Sequence, residues 1–199
     1  VRRGQKTGFF LDQRDNRQFL SALARDAAML NCFSYSGAFS VYAFGGGARS
    51  VISLDSSRPA LELAENNFAL NRFTGNNAEL IKGDAFAYLK ECNANFDIIV
   101  LDPPALAHRR SDVEAAAGGY KFLNLHALKH LNPGGLFLTF SCSQHLSSDL
   151  FQKVVFGAAV DAGRRVSIVK KLGPPIDHPV SLHHPEGGYL KGLLLHVLD

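Results

Sequence analysis

The chain has 199 residues, of which 46% are hydrophobic and 20% charged, as expected for one globular domain with a substantial core. Its net charge of +3 at pH 7 permits an acidic partner such as RNA, but it falls short of the basic excess of a dedicated nucleic-acid-binding domain. The three cysteines show no paired spacing and no Cys/His cluster, which argues against a disulfide scaffold and against a metal site. No apolar run reaches the ~18 residues of a membrane span, so we expect a cytoplasmic protein without a membrane partner.

The hydrophobic pattern of the first half predicts strands alternating with helices. Helices are predicted at residues 12–24, 38–44, 57–70 and 84–91, and strands at 27–33, 49–55, 78–84 and 96–102. The fourth strand, FDIIVLD, is apolar almost throughout, which is typical of a strand buried on both faces.

The second half continues the alternation after a long segment, residues 102–119, that reads as a loop. Beyond it we predict a helix at 120–131, a strand at 136–141, a helix at 148–162, and strands at 164–172 and 189–199. This order predicts an α/β fold, with a doubly wound, mostly parallel sheet and a C-terminal antiparallel hairpin, in a single domain covering residues 1–199.

The strand–turn–helix LNCFSYSGAFS is typical of a nucleotide-type site. Gly37 allows a tight turn before the free N–H groups of a helix, and Asp55 ends the next strand, where an acid binds ribose hydroxyls. Asp84, at the third strand end, is suited to an adenine amino group. The G-x-G-x-x-G fingerprint is missing, so S-adenosylmethionine fits better than NAD. The alternative is that Gly37 is only a turn and Asp55 only a helix cap.

Two further strand ends carry chemistry. Asp102, followed by two prolines, occupies a stiff loop that can hold a flat base, and Cys142 follows the strand next to it. A thiolate that adds to C6 of cytosine makes C5 nucleophilic enough to take a methyl group from a sulfonium. The alternatives without a catalytic role are an ordinary turn at Asp102 and a buried structural thiol at Cys142. Cys32 is predicted to lie in the core and Cys92 at a surface helix end.

Several motifs together cover nearly the whole chain: GQKTGFFLDQRDNR, LNCFSYSGAFSVYA, VISLDSS, NFALNRF, IVLDPPALA, FLTFSCS and DHPV…PEGGYLKG. In order and spacing they resemble the RlmI-like bacterial methyltransferases, which make 5-methylcytosine in large-subunit ribosomal RNA. Members of that family carry a small RNA-binding domain before this region, so the chain resembles their catalytic half. It departs from them at Ala105-Leu106, where Lys-Phe is frequent, and at Ser36, where Thr is common.

The resemblance implies a Rossmann-like methyltransferase fold, S-adenosylmethionine as cofactor and RNA, especially ribosomal RNA, as partner. It implies Cys142 as the covalent nucleophile and Asp102 as the residue that orients the cytosine. Contacts to the RNA are expected from Arg14, Pro103, Pro104 and His178, although His178 also fits a plain polar loop. The residues expected to hold the cofactor are Thr7, Phe10, Asp12, Gln13, Asn31, Phe33, Ser34, Gly37, Asp55, Ser56, Asp84 and Ala85.

Three other functions compete with this interpretation. An N-methyltransferase acting on adenine or guanine uses an Asn/Asp-Pro-Pro-aromatic loop and needs no cysteine, but Ala105 is not aromatic and Cys142 would then have no role. A nucleotide-fold binding module would not require Asp55, Asp102 and Cys142 together. An NAD-linked dehydrogenase lacks its glycine fingerprint here. The sequence leaves the oligomeric state and the target nucleotide open.

Overall fold

The structure is a computed structural model that describes residues 9–73, 75, 77–184 and 187–199. A short 3-10 helix, Leu11–Gln13, precedes the first α-helix. The helices are α1 (Arg14–Leu23), α2 (Ala38–Gly45), α3 (Arg58–Leu70), α4 (Ala85–Glu91), α5 (Val113–Lys129) and α6 (Ser148–Asp161). The strands are β1 (Ala28–Cys32), β2 (Ser50–Asp55), β3 (Ala78–Lys82), β4 (Phe96–Leu101), β5 (Leu131–Ser141), β6 (Val166–Leu172) and β7 (Lys191–Val197).

The seven strands form one sheet in the order β3-β2-β1-β4-β5-β7-β6. Neighbouring strands from β3 to β5 are parallel, and β7 runs antiparallel to both β5 and β6. The strand order reverses between β1 and β4, where Cys32 is paired with Leu101. In sheets of this kind, ligands bind outside the carboxyl ends of the strands at such a reversal. The predicted fold class is therefore confirmed, and the topology marks one edge of the sheet for the site.

Apolar side chains cover both faces of the sheet and form one layer of the core on each face. Strand β5 contributes to both layers, because successive side chains of a strand point to opposite faces. Phe137 belongs to the layer beneath α5 and α6, with Tyr120 and Phe151, whereas Leu138 and Phe140 belong to the layer beneath α1 and α2. All five side chains are at most 1% exposed. The core therefore anchors β5 on both of its faces, and with it the start of the segment that follows. Among the described residues, no helix is long and apolar enough to cross a bilayer.

The predicted loop up to residue 119 is wrong in its second part, because α5 already begins at Val113. The side chain of Asp112 accepts a hydrogen bond from the Arg109 backbone N–H at 2.9 Å, which starts the helical turn. Two glycines inside the helix weakened the helical pattern in the sequence. A Cβ at Gly119 would lie 3.2 Å from Leu106 Cδ1, so the glycine lets α5 pack closely against the loop that follows β4.

The last two strands are antiparallel neighbours, which confirms the predicted C-terminal hairpin. A segment of residues 173–190 separates them, and β7 inserts between β5 and β6 instead of adding to the edge. Ser141 at the end of β5 is therefore paired with Lys191 at the start of β7. This pairing brings the final strand of the chain next to the residues that follow β5.

Candidate active site

The loop between β1 and α2 is a tight turn built from left-handed residues. Phe33, Tyr35 and Gly37 have φ values of 58°, 47° and 69°. A Cβ at Gly37 would lie 2.9 Å from the Cβ of Ala64, so the glycine also lets α2 start directly against α3. Ser34 is buried in the same turn, and its N–H donates to Leu54 O at 3.0 Å. The turn is thereby held against the end of β2.

Asp55 joins this loop to the loop after β2. One carboxylate oxygen accepts the Tyr35 N–H at 2.8 Å, and the other accepts the Ser57 N–H at 2.9 Å. Each oxygen has a further lone pair. The half-buried carboxylate can therefore still accept hydrogen bonds from the hydroxyl groups of a ligand. Ser56, the next residue, is exposed. These acceptors fit the ribose hydroxyls of S-adenosylmethionine.

Three other residues predicted to hold the cofactor lie around this loop in supporting positions. Asn31 is fully buried, and its amide donates to Ser40 Oγ at 2.9 Å beneath the turn. Asp84 is exposed and caps α4 by accepting the Ala87 N–H at 2.9 Å, and Ala85 is buried behind it. The structure therefore gives Asn31 and Asp84 structural hydrogen bonds, and their contacts with a cofactor stay predictions.

The segment before α1 approaches the same loop. The ring of Phe10 meets that of Tyr35 edge-on with centroids 5.4 Å apart, and Phe10 remains 41% exposed. Asp12 and Gln13 follow it and are buried. Thr7, also predicted to hold the cofactor, lies outside the described residues.

Asp102 and Cys142 meet at the ends of the adjacent strands β4 and β5. The Cys142 thiol donates to the carbonyl of Pro103 at 3.7 Å, although the two residues are 39 positions apart in the sequence. Pro103 is buried and Pro104 exposed, so the proline loop has one side anchored in the protein and one side open to solvent. The thiol therefore lies against the loop that begins at Asp102, and the charge of Asp102 acts on it. Cys32 lies in the core as predicted, and Cys92 is half-buried at the end of α4.

The serines on either side of Cys142 have a common partner. Ser141 Oγ donates to the hydroxyl of Tyr120 at 3.0 Å, and Ser143 Oγ lies 2.9 Å from the same hydroxyl. Ser143 Oγ also accepts the N–H of Ala107 at 3.1 Å. This buried network ties the residues around Cys142 to α5 and to the loop that carries Asp102, which fixes the position of the thiol.

Burial and neighbouring charges make both reactive groups less acidic. Burial, followed by the nearby carboxylate of Asp12, raises the pKa of Asp102 to about 7, against opposing effects of the Gln13 amide and the Arg17 guanidinium. Burial, followed by the charge of Asp102, raises the pKa of Cys142 to about 11. The Cys142 backbone amide and the ammonium of Lys191 act in the opposite direction on the thiol.

The raised pKa of Asp102, about 7, predicts how stability depends on pH. In the unfolded chain this carboxyl ionises near pH ~4, so between about pH 4 and 7 the folded protein binds more protons and its stability falls as pH rises. Asp102→Asn removes this cost, and we expect it to increase the free energy of unfolding at pH 8 by about 1–3 kcal/mol. Urea unfolding at pH 5 and pH 8 measures the effect, which should shrink at pH 5. Asp161→Asn, at an exposed ion pair with Lys121, is the control. A variant that is less stable than wild type at pH 8 would contradict the assignment.

The predicted RNA-contacting residues Arg14 and His178 lie together at one side of this region. The Arg14 guanidinium pairs with Asp15 at 3.0 Å and also with Asp177, and His178 Nδ1 is 3.8 Å from the Asp177 carboxylate. Asp177 therefore joins α1 to the segment between β6 and β7. The structure brings these two residues together but gives them protein partners, so their contact with RNA stays a prediction.

Two residues near the thiol escaped the sequence analysis. Tyr189 donates its hydroxyl proton to Asp12 at 2.6 Å, and the Lys191 ammonium donates to the carbonyl of Ser143 at 2.7 Å. Lys191 is only 8% exposed. The sequence signal was a lysine near the start of the otherwise apolar strand KGLLLHV, because a lysine is almost never buried without a specific partner.

Comparison with known proteins agrees with this geometry. The family model for S-adenosylmethionine-dependent methyltransferases matches residues 1–194. The whole chain is 46% identical to the ribosomal RNA large subunit methyltransferase I of Alteromonas mediterranea and 47% identical to that of Tolumonas auensis, and it spans 51% of each relative. The chain thus covers about half the length of these relatives.

Solved structures extend the comparison to the fold. SMU.776, described as a methyltransferase and solved in complex with SAH, superposes with a TM-score of 0.85 at 28% identity, covering 96% of this chain and 50% of that one. Trm5b from Pyrococcus abyssi shares the fold with a TM-score of 0.71 at 20% identity, over 96% of this chain and 50% of its own. With its strand-end acids, tight glycine turn and matched family model, the chain belongs to the S-adenosylmethionine-dependent methyltransferases.

Proposed function

We propose that this protein transfers a methyl group from S-adenosylmethionine to C5 of a cytosine in RNA, specifically large-subunit ribosomal RNA, through a covalent adduct on Cys142. The observation that carries the proposal is the meeting of the Cys142 thiol with the Asp102-Pro103 loop, where the thiol lies 3.7 Å from the Pro103 carbonyl. The names of the relatives that are 46% and 47% identical support ribosomal RNA as the substrate.

The loops after β1 and β2 are suited to hold the cofactor at the same edge of the sheet as Cys142. Asp55 offers lone pairs to the ribose, and Phe10 offers an exposed ring beside Tyr35. When bound, S-adenosylmethionine supplies an electrophilic methyl group. The chain's own residues must then make C5 of the cytosine nucleophilic, because an unactivated C5 is a poor nucleophile.

In the proposed mechanism, the Cys142 thiol first gives up its proton to solvent, and the thiolate then forms a bond to C6 of the cytosine. The electron pair of the C5–C6 double bond shifts onto C5 and is delocalised toward N3, so C5 could bond the methyl group as the bond from that methyl to the sulfonium sulfur breaks. A base removes the C5 proton, the double bond re-forms and the thiolate leaves. The cytosine must be turned out of its stack to reach the thiol.

Asp102 has the pKa that this sequence of steps requires. With a pKa of about 7, its carboxyl is still protonated in a large fraction of molecules at neutral pH. A protonated carboxyl can donate a hydrogen bond to N3 of the cytosine. This hydrogen bond stabilises the negative charge that builds up on N3 when the thiolate adds to C6. Protonation also removes the negative charge that disfavours the Cys142 thiolate. The proton on Asp102 thus assists both the cytosine and the Cys142 thiolate.

The test is nucleoside mass spectrometry of unmodified large-subunit RNA after incubation with the protein and S-adenosylmethionine. We expect 5-methylcytidine with the wild-type chain and none with the Cys142→Ala variant. A methylated adenine or guanine that also appears with the variant would overturn the proposal in favour of N-methyl transfer through the Asp102 loop.

Asp55→Ala is expected to weaken the binding of S-adenosylmethionine by about 1–3 kcal/mol, because the variant leaves ribose hydroxyls without their acceptor. The Tyr35 and Ser57 N–H groups also lose their partner. Isothermal titration calorimetry measures the effect, and Asp149→Ala, at an exposed ion pair on α6, is the control. Unchanged affinity in Asp55→Ala would remove Asp55 from the cofactor site.

A further inference from the structure

The proposed nucleophile has a buried cation as its neighbour. Lys191 is the first residue of β7 and is paired across the sheet with Ser141. Its ammonium donates to the carbonyl of Ser143 at 2.7 Å. Lys191 therefore contacts the chain on both sides of Cys142, through strand pairing at residue 141 and through a side-chain hydrogen bond at residue 143.

Burial of this ammonium needs a reason. Moving a lysine out of water disfavours its charged form, and burial lowers the pKa of Lys191 accordingly. One hydrogen bond to a backbone carbonyl satisfies one of three N–H donors. The nearby thiol acts in the opposite direction and favours the charged form of the lysine. A charge kept here thus interacts with Cys142 in a medium that screens poorly.

Among the residues that the structure describes, the other titratable groups around the thiol act against its ionisation or are neutral. The negative charges of Asp102 after β4 and of Asp12 before α1 both oppose the thiolate. The phenols of Tyr120 on α5 and Tyr189 before β7 also sense the charge of Cys142. Arg17, another buried cation, acts on Asp102. Lys191 on β7 is the side chain whose charge offsets the two carboxylates at the thiol.

We propose that Lys191 is a positioning residue that stabilises the Cys142 thiolate by its positive charge and fixes the thiol's backbone through the carbonyl of Ser143. Its role in methyl transfer rests on the proposed function of Cys142 as nucleophile. The lysine keeps its proton throughout, and the thiol proton leaves to solvent. Three substitutions separate the charge from the hydrogen bond: Lys191→Arg keeps both, Lys191→Gln keeps a donor without charge, and Lys191→Met keeps only the apolar stem.

The test is the rate at which iodoacetamide alkylates Cys142 as a function of pH, followed by peptide mass spectrometry without RNA. Only the thiolate reacts, so the profile reports its stability. We expect Lys191→Gln to move the profile to higher pH and to slow alkylation at pH 8.5 about tenfold, the factor for one pKa unit. Lys191→Arg should stay within about threefold of wild type, which corresponds to about half a pKa unit on the same scale. Lys171→Gln, a lysine of the neighbouring strand β6, is the matched control and should match wild type.

An unchanged profile in Lys191→Gln overturns the proposal. A slow reaction in Lys191→Met together with a normal one in Lys191→Gln also overturns it, since the lysine would then act only as a hydrogen-bond donor. Calorimetry of cofactor binding verifies that each variant is folded, and Lys191→Asn, which also keeps an uncharged donor, carries the charge test if Lys191→Gln does not fold. The result is separate from that of the RNA assay: missing 5-methylcytidine with a shifted alkylation profile would refute the proposed function while the Lys191–Cys142 coupling stands.

Discussion

Replacing Cys142 with alanine is expected to reduce methyl transfer by about 10³-fold or more, because the variant has no nucleophile to activate C5. Affinity for S-adenosylmethionine should change little, since the cofactor loops follow β1 and β2 whereas Cys142 follows β5. Nucleoside mass spectrometry measures the first quantity and calorimetry the second.

The matched control is Cys92→Ala, which removes another half-buried cysteine at the end of α4. This variant should retain full activity. If Cys142→Ala instead loses cofactor binding, the thiol is a packing group between β5 and the proline loop. If Cys142→Ala continues to make 5-methylcytidine, the covalent mechanism is refuted outright.

Asp102→Asn is expected to change the rate of methyl transfer and the rate of Cys142 alkylation in opposite directions. Methyl transfer should fall by about 10²–10⁴-fold, because an amide cannot give a proton to the cytosine. Alkylation of Cys142 by iodoacetamide should become faster, because the variant removes a negative charge that raises the pKa of the thiol. Loss of structure would also speed alkylation, because burial is the largest cause that raises the pKa of the thiol. Calorimetry of cofactor binding must therefore show that Asp102→Asn is folded, and opposite signs in the folded variant then identify the role of the carboxylate.

The pH dependence provides a second readout for Asp102. In wild type, the protonated carboxyl is lost as pH rises through about 7, and kcat/KM should lose this contribution over the same range. Asp102→Asn should lack that step, whereas Asp161→Asn should keep it. A wild-type profile without any change near pH 7 would show that the proton of Asp102 is not used.

Much of the site was predictable because it depends on strand ends. Asp55, Asp102 and Cys142 each lie at or directly after a short apolar run, and parallel strands bring such positions to one edge of the sheet. The serines beside Cys142 read as ordinary polar residues. Their role became visible only in three dimensions, because their partner Tyr120 lies 21 and 23 positions away.

The position of β7, the role of Lys191 and the start of α5 could not be predicted from the sequence, for physical reasons. Hydrophobic periodicity predicts the type of an element but not which elements lie next to it. The insertion of β7 between β5 and β6 therefore could not be predicted from the hydrophobic pattern of the sequence. Without that insertion, Lys191 could not be assigned to the thiol. The two glycines in α5 hid residues 113–119 of the helix, because glycine has a low intrinsic helix propensity and a local pattern does not reveal the close packing of Gly119 against Leu106.

The position of β7 also has a consequence for how the protein is made. Synthesis proceeds from the N-terminus, so β1 to β6 leave the ribosome before the strand that fills the gap between β5 and β6. Until residues 191–197 arrive, one edge of β5 has no hydrogen-bonding partner there. An open strand edge of this kind is prone to pair with other chains, which makes the nascent protein a candidate for chaperone protection. The ammonium beside Cys142 arrives with the same strand, so the thiol acquires its charged neighbour only when the sheet is completed.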